Sequence, residues 1–143
     1  MPSPNLRLVP DTGFYIAAAL QNGYARNYLV GRGSKFLTYS LFTSEAILLE
    51  VQGVLEGRFH FDRPKVVAAL QQIRRVTTVV YPTGVVEVVR DPDDNKILEC
   101  ALEAGADLVV AFDKDLLDIK EFQGVRIIHP SQLQYLFPAP PAD

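Results

Sequence analysis

Short apolar runs alternate with longer amphipathic ones along the chain, and the alternation predicts most of its elements. Leu6–Val9 is a short apolar run ending at Pro10-Asp11 and reads as a strand. Phe14–Leu20 and Ala25–Val30 read as helices broken at Asn22-Gly23, and Phe36–Leu41 as a strand rich in aromatic residues. Thr43 or Ser44 is placed to cap a helix running to Glu56, with Gly57 as its stop. Pro64 suits the first turn of a helix over Lys65–Arg74, and the β-branched run Val76–Tyr81 suits a strand. Asp91-Pro92 opens a helix that continues through Ala104 and stops at Gly105. Leu108–Phe112 is a buried strand, Lys114–Asp118 a short helical turn and Val125–Ile128 a last strand. The segment Phe137–Asp143 holds three prolines and reads as a frayed tail.

Strands of about five residues separated by helices predict an α/β domain with a mostly parallel central sheet flanked by helices. The 143 residues fit one core, expected over residues 1–137 with a Pro-rich tail at 138–143. Apolar residues make up 48% and charged ones 22%, an ordinary globular balance. No apolar run approaches the roughly 18 residues of a membrane span, and the N-terminal segment lacks the apolar stretch of a signal peptide. Cys100 is the single cysteine, which excludes an internal disulfide framework and a Cys-rich zinc site. A cytoplasmic protein with no membrane partner is the expectation. The net charge of −3 hides an asymmetry: residues 1–75 carry nine Lys and Arg against five Asp and Glu, residues 76–143 five against twelve. Either this is a solvated surface, or carboxylates of the second half gather a cation beside a basic rim.

The positions of the acids narrow that choice. Asp11 follows the first strand and Asp113 follows Leu108–Phe112, so in a parallel sheet both reach the carboxyl edge, where open α/β sheets place ligands. Each alone could be an ordinary turn residue. Glu50 belongs neither to the apolar stripe of its helix nor to the polar face of Glu45, Gln52 and Glu56; it faces a cavity or snorkels off the stripe. Asp91 reads as an N-cap, and acids in the first turn suit the helix dipole. Asp94 lies in line with Leu98 and Ala101, which aims it at the sheet edge, while Asp93 is expected to point elsewhere.

Other chemistry finds little support. Asp11-Thr12-Gly13 spells the aspartic-protease triplet, but that chemistry belongs to an all-β dimer. His60 and His129 lack ligand spacing, Cys100 suits a core edge, and Gly31-Arg32-Gly33 reads as a turn without a phosphate-loop pattern. Tyr15, Tyr24, Phe36 and Tyr39 are core residues or base-stacking ones.

An Asp after the first strand, an acid on the next long helix, an acid opening a later helix and an Asp after the following strand: this order resembles the PIN domain. It resembles most the bacterial PIN-family toxin components of toxin–antitoxin systems, the VapC-like group. The matching stretches are Leu8-Val9-Pro10-Asp11-Thr12, Ser44-Glu45-Ala46-Ile47-Leu48-Leu49-Glu50, Asp91-Pro92-Asp93-Asp94-Asn95-Lys96-Ile97-Leu98 and Ala111-Phe112-Asp113-Lys114-Asp115-Leu116-Leu117. The resemblance spans residues 6–137, and its last two stretches are the most specific.

The resemblance implies a single PIN-like domain acting as a metal-dependent endoribonuclease that hydrolyses phosphodiester bonds in RNA. It assigns Asp11, Glu50, Asp94 and Asp113 as catalytic, metal-binding acids, with Asp91 and Asp115 as further ligands. Carboxylates without His or Cys select a hard cation, Mg²⁺ or Mn²⁺. The implied partners are an RNA substrate, a cognate antitoxin protein and a second copy of the chain. The sequence departs from the pattern at Gly13, where the family usually has Asn, and at Ala111-Phe112, where Thr-Gly is frequent. The competing reading is therefore a catalytically weak or inactive PIN-like module acting by protein binding, with Leu49 on an otherwise polar helix face as a docking feature. A phosphatase using Asp11 as nucleophile lacks the usual second Asp, since Gly13 occupies that place.

Overall fold

The computed structural model describes residues 5–20 and 38–136; the expected helix Ala25–Val30, the turn at 31–33 and the tail at 138–143 lie outside them. The described elements are β1 (Asn5–Pro10), α1 (Thr12–Ala19), β2 (Thr38–Thr43), α2 (Glu45–Gly57), α3 (Arg63–Val76) and β3 (Thr77–Val79). After them come α4 (Pro92–Ala104), β4 (Leu108–Val110), α5 (Lys114–Ile119), β5 (Glu121–Phe122), β6 (Val125–Ile128) and α6 (Pro130–Leu136). The strands form one sheet in the order β3-β2-β1-β4-β6-β5. Every neighbouring pair is parallel except the β5–β6 hairpin. The expected α/β architecture is the one observed.

Continuous burial explains why β1 and β4 take the centre. Leu8 and Val9 of β1 and Val109 and Val110 of β4 are all inaccessible to solvent, the pattern of strands covered on both faces. They pair in register, Leu8 with Leu108, Val9 with Val109 and Pro10 with Val110. Helix α4 packs on β1, β2 and β4 with Ile97, Leu98, Ala101 and Ala104 buried. Helix α2 packs against α1, α3 and α4 through Ile47, Leu48, Val51 and Leu55. The carboxyl ends of β1 and β4 thus open side by side, next to the start of α4.

Caps fix the helix starts that frame this edge. Ser44 rather than Thr43 caps α2, accepting from the Ile47 amide, and Asp62 caps α3 from the residue before Arg63-Pro64. Asp91 caps α4, whose far end closes on Gly105 in the left-handed conformation at φ 60, where the Ala106 amide reaches back to the Ala101 carbonyl at 2.9 Å. Gly57 is no such stop: α2 runs out through Arg58 in a right-handed conformation.

Several boundaries differ from the sequence reading. Strand β4 ends at Val110, not Phe112, because β1 leaves the sheet at Pro10 to enter α1 and takes the pairing edge with it. Strand β3 begins at Thr77, since α3 carries on through Val76. The β5–β6 hairpin was not anticipated. It turns on Gln123 and Gly124, both with positive φ (48° and 85°), the backbone a tight two-residue hairpin needs.

Candidate metal centre

Asp11 is the joint between the two central strands. Its amide donates to the Val110 carbonyl at 2.9 Å, and its side chain caps α1 through Oδ1, which accepts from the Phe14 amide at 2.9 Å. Oδ2 accepts from the Phe112 amide at 2.9 Å and, more weakly, from the Asp113 amide at 3.4 Å. The amides that β4 loses by ending at Val110 therefore find their acceptor in Asp11. Only 4% of Asp11 is exposed, and burial lifts its pKa to about 6 against the pull of these three donors.

Asp94 is the acid with the greatest unmet need. It lies in the first turn of α4, is 8% exposed, and its Oδ2 is buried with no hydrogen-bond partner. Desolvation first, then the charges of Asp113, Asp91, Asp11 and Asp115, push its pKa to about 7. Its orientation along the apolar stripe is as the helical spacing indicated. Ligand oxygens of Asp94, Asp113 and Asp115 lie within 4.8 Å of one another. Asp113 also caps α5, with Oδ1 accepting from the Asp115 amide at 2.7 Å, a duty the sequence did not disclose. The cap explains how Asp113 and Asp115 are held on one side: the turn that starts α5 brings their carboxylates together.

Glu50 enters the same cavity from α2. The cavity, about 250 Å³, is lined by Asp11, Thr12, Gly13, Glu50, Asp94, Ile97, Phe112 and Asp113. Of the two readings of Glu50, the cavity-facing one is observed. Its pKa rises to about 7, chiefly through desolvation and then through the Asp93 carboxyl beside it, while the Thr12 hydroxyl pulls the other way. Asp93 is exposed and does not line the cavity, as expected, but its carboxyl stands near enough to Glu50 to raise it. Asp91 caps α4 with its Oδ1 on the Asp93 amide and does not line the cavity, so it acts on the site through its charge.

The departures from the expected pattern meet in one place. A Cβ on Gly13 would stand 3.6 Å from both Cβ and Cδ2 of Phe112, so the ring packs against the missing side chain's position. Two further polar residues escaped sequence reading. Asn95 and Glu99, one turn apart on α4 and both buried, take up the loop that precedes the helix. Asn95 Oδ1 accepts from the Val88 and Val89 amides and its Nδ2 donates to the Val89 carbonyl; Glu99 accepts from the Val86 amide. Their one-turn spacing on a buried face was the available signal.

The arrangement suits a hard divalent cation. The donors are carboxylates alone, they converge within ligating distance, and one oxygen is buried without a partner. Comparison with known proteins gives the family and the fold. The PIN domain family model matches residues 7–115, more than half the chain, and the chain belongs to the PIN domain family. Among solved structures it is similar to VapC20 of Mycobacterium tuberculosis, described as a Sarcin-Ricin loop cleaving toxin, at 22% identity and a TM-score of 0.58, covering 83% of this chain and 98% of that one. It is also similar to PAE2754 of Pyrobaculum aerophilum, at 20% identity and a TM-score of 0.53, covering 93% and 97%. No curated protein gives a significant match. Among the described residues, no helix is long and apolar enough to cross a membrane.

Proposed function

We propose that the protein is a divalent-metal-dependent endoribonuclease of the VapC-like kind, hydrolysing phosphodiester bonds in RNA. The buried, unpartnered Oδ2 of Asp94 carries this reading, because a carboxylate so placed costs stability unless a cation or a proton meets it. Asp94, Asp113 and Asp115 would hold the ion, Mg²⁺ or Mn²⁺. Bound there, it supplies charge neutralisation for the phosphodiester and acidifies water. The protein's own residues do the positioning. Asp11 fixes the Phe112–Asp113 turn to β1 through the two backbone amides that donate to its Oδ2, so that Asp113 meets Asp94. Glu50, with a carboxyl that exchanges its proton near neutrality, adds a fourth acid to the cavity from α2. Asp91 acts from outside the cavity as a capping charge.

The test is cleavage of single-stranded RNA with Mn²⁺ or Mg²⁺. Wild-type protein cleaves, and Asp11→Asn and Asp113→Asn each lose the metal-dependent activity while melting cooperatively. A wild-type protein that cleaves no RNA with either metal returns the choice to the binding module. Exposed Leu49 on α2, 68% accessible, supports the accompanying proposal that the chain dimerises and meets an antitoxin through its helices. A cytoplasmic site of action fits an RNA substrate.

A further inference from the structure

We propose that the ring of Phe112, braced by His129, is a stacking platform for one unpaired nucleobase of the RNA beside the carboxylate cavity. The proposal rests on the nuclease reading and adds how the substrate is held. Phe112 immediately precedes Asp113, lines the cavity and leaves 40% of itself exposed there. It is held firmly. Its amide is bonded to Asp11 Oδ2 at 2.9 Å, its ring packs against Gly13, and it meets the His129 ring edge-to-face at a centroid distance of 5.2 Å and an angle of 87°. The imidazole is fixed in turn: the Ser131 amide donates to His129 Nδ1 at 3.0 Å.

Chemistry selects the occupant. Half of the residues lining the cavity around the ring are acids, Asp11, Glu50, Asp94 and Asp113, which repel phosphates wherever a cation does not stand between. Substrate must therefore be gripped by something uncharged, and the flat face of a base provides it. A protein partner would need a contiguous apolar patch, whereas Phe112 is flanked by Asp11, Asp113 and Gly13. Stacking is also tolerant of base identity, because every base offers a π face.

The experiment is fluorescence anisotropy with a labelled single-stranded octaribonucleotide in Ca²⁺, using the full chain, together with the melting shift caused by Mn²⁺. Phe112→Ala is expected to weaken binding roughly tenfold. Phe112→Tyr should restore it, and Phe112→Leu, apolar but without a π face, should not. In octamers carrying one abasic residue at successive positions, wild type loses affinity at one position and Phe112→Ala loses nothing more there. All three variants keep the Mn²⁺ melting shift. Binding unchanged in Phe112→Ala, rescue by Leu as good as by Tyr, or an abasic penalty that persists without the ring overturns the platform. A wild type without any Mn²⁺ shift strikes the metal-dependent reading instead, and the aromatic and abasic comparisons still decide the platform by themselves.

Discussion

Asp94→Asn should stabilise the metal-free protein. A carboxyl whose pKa is higher in the fold than in the unfolded chain favours folding while protonated, and that contribution is lost as the pH rises through the folded value. For Asp94 the window runs from 3.8 to about 7. At about 1.4 kcal/mol per pH unit, the three-unit width sets a ceiling of roughly 4 kcal/mol on what ionised Asp94 costs the fold. Part of that belongs to the neighbouring acids, since the charges of Asp113, Asp91, Asp11 and Asp115 all push the Asp94 carboxyl upward. Half the ceiling, about 2 kcal/mol, is a reasonable single-site share. In a chain of this size that is a rise in Tm of roughly 5–10 °C. Asparagine keeps the volume, removes the charge and offers an amide to the other carboxylates. The assay is thermal unfolding in chelator from pH 4.5 to 8. The variant's advantage should be small at the acid end, grow through pH 6 and level off above 7. A variant less stable than wild type at pH 8, or an advantage that does not vary with pH, would refute the argument. Asp113 is the poorer position for the test, because its Oδ1 caps α5 and any substitution mixes the two effects.

Mn²⁺ affinity, followed by titration calorimetry, should fall more than tenfold between pH 7.5 and 6, since the carboxyls of Asp94 and Glu50 must both release protons; ordinary carboxylates would leave it flat. Asn95→Ala strips two loop amides and one carbonyl of their partner and should cost about 2–4 kcal/mol in denaturant unfolding, with hydrogen exchange accelerated at Val88 and Val89. Wild-type protein should scatter light as a dimer and Leu49→Lys as a monomer; a monomeric wild type at every concentration removes that interface.

The sequence discloses much of the scaffold because its signals are local and mutually consistent. Asp91-Pro92 and Gly105 mark both ends of α4, and the apolar runs of β1 and β4 demand cover on both faces. Asp11 and Asp113 follow from strand direction alone, and Asp94 from helical spacing. What stayed hidden depends on contacts between distant segments. The length of β4 is set by where β1 turns away, which no window around Leu108 contains. Asp93 meets Glu50 only because α2 and α4 pack together. The cap at Asp113 was obscured by expecting strand up to Phe112, and Phe112 itself looked like a defect until Gly13 appeared beneath its ring.

The order of strands has a consequence for when the site can exist. β1 is made before every other strand of the sheet, yet its Asp11 receives the Phe112 amide only after β4 has slotted between β1 and β6. A nascent chain that has extruded β1, β2 and β3 already holds half a sheet, but its β1 edge is open and Asp11 has only its local cap. The carboxylate trio awaits Asp113 and Asp115, some hundred residues later. Closing the centre of a parallel sheet over that separation is entropically slow. An incomplete or stalled chain thus lacks the acid cluster altogether: the fold withholds it until β4 is in place.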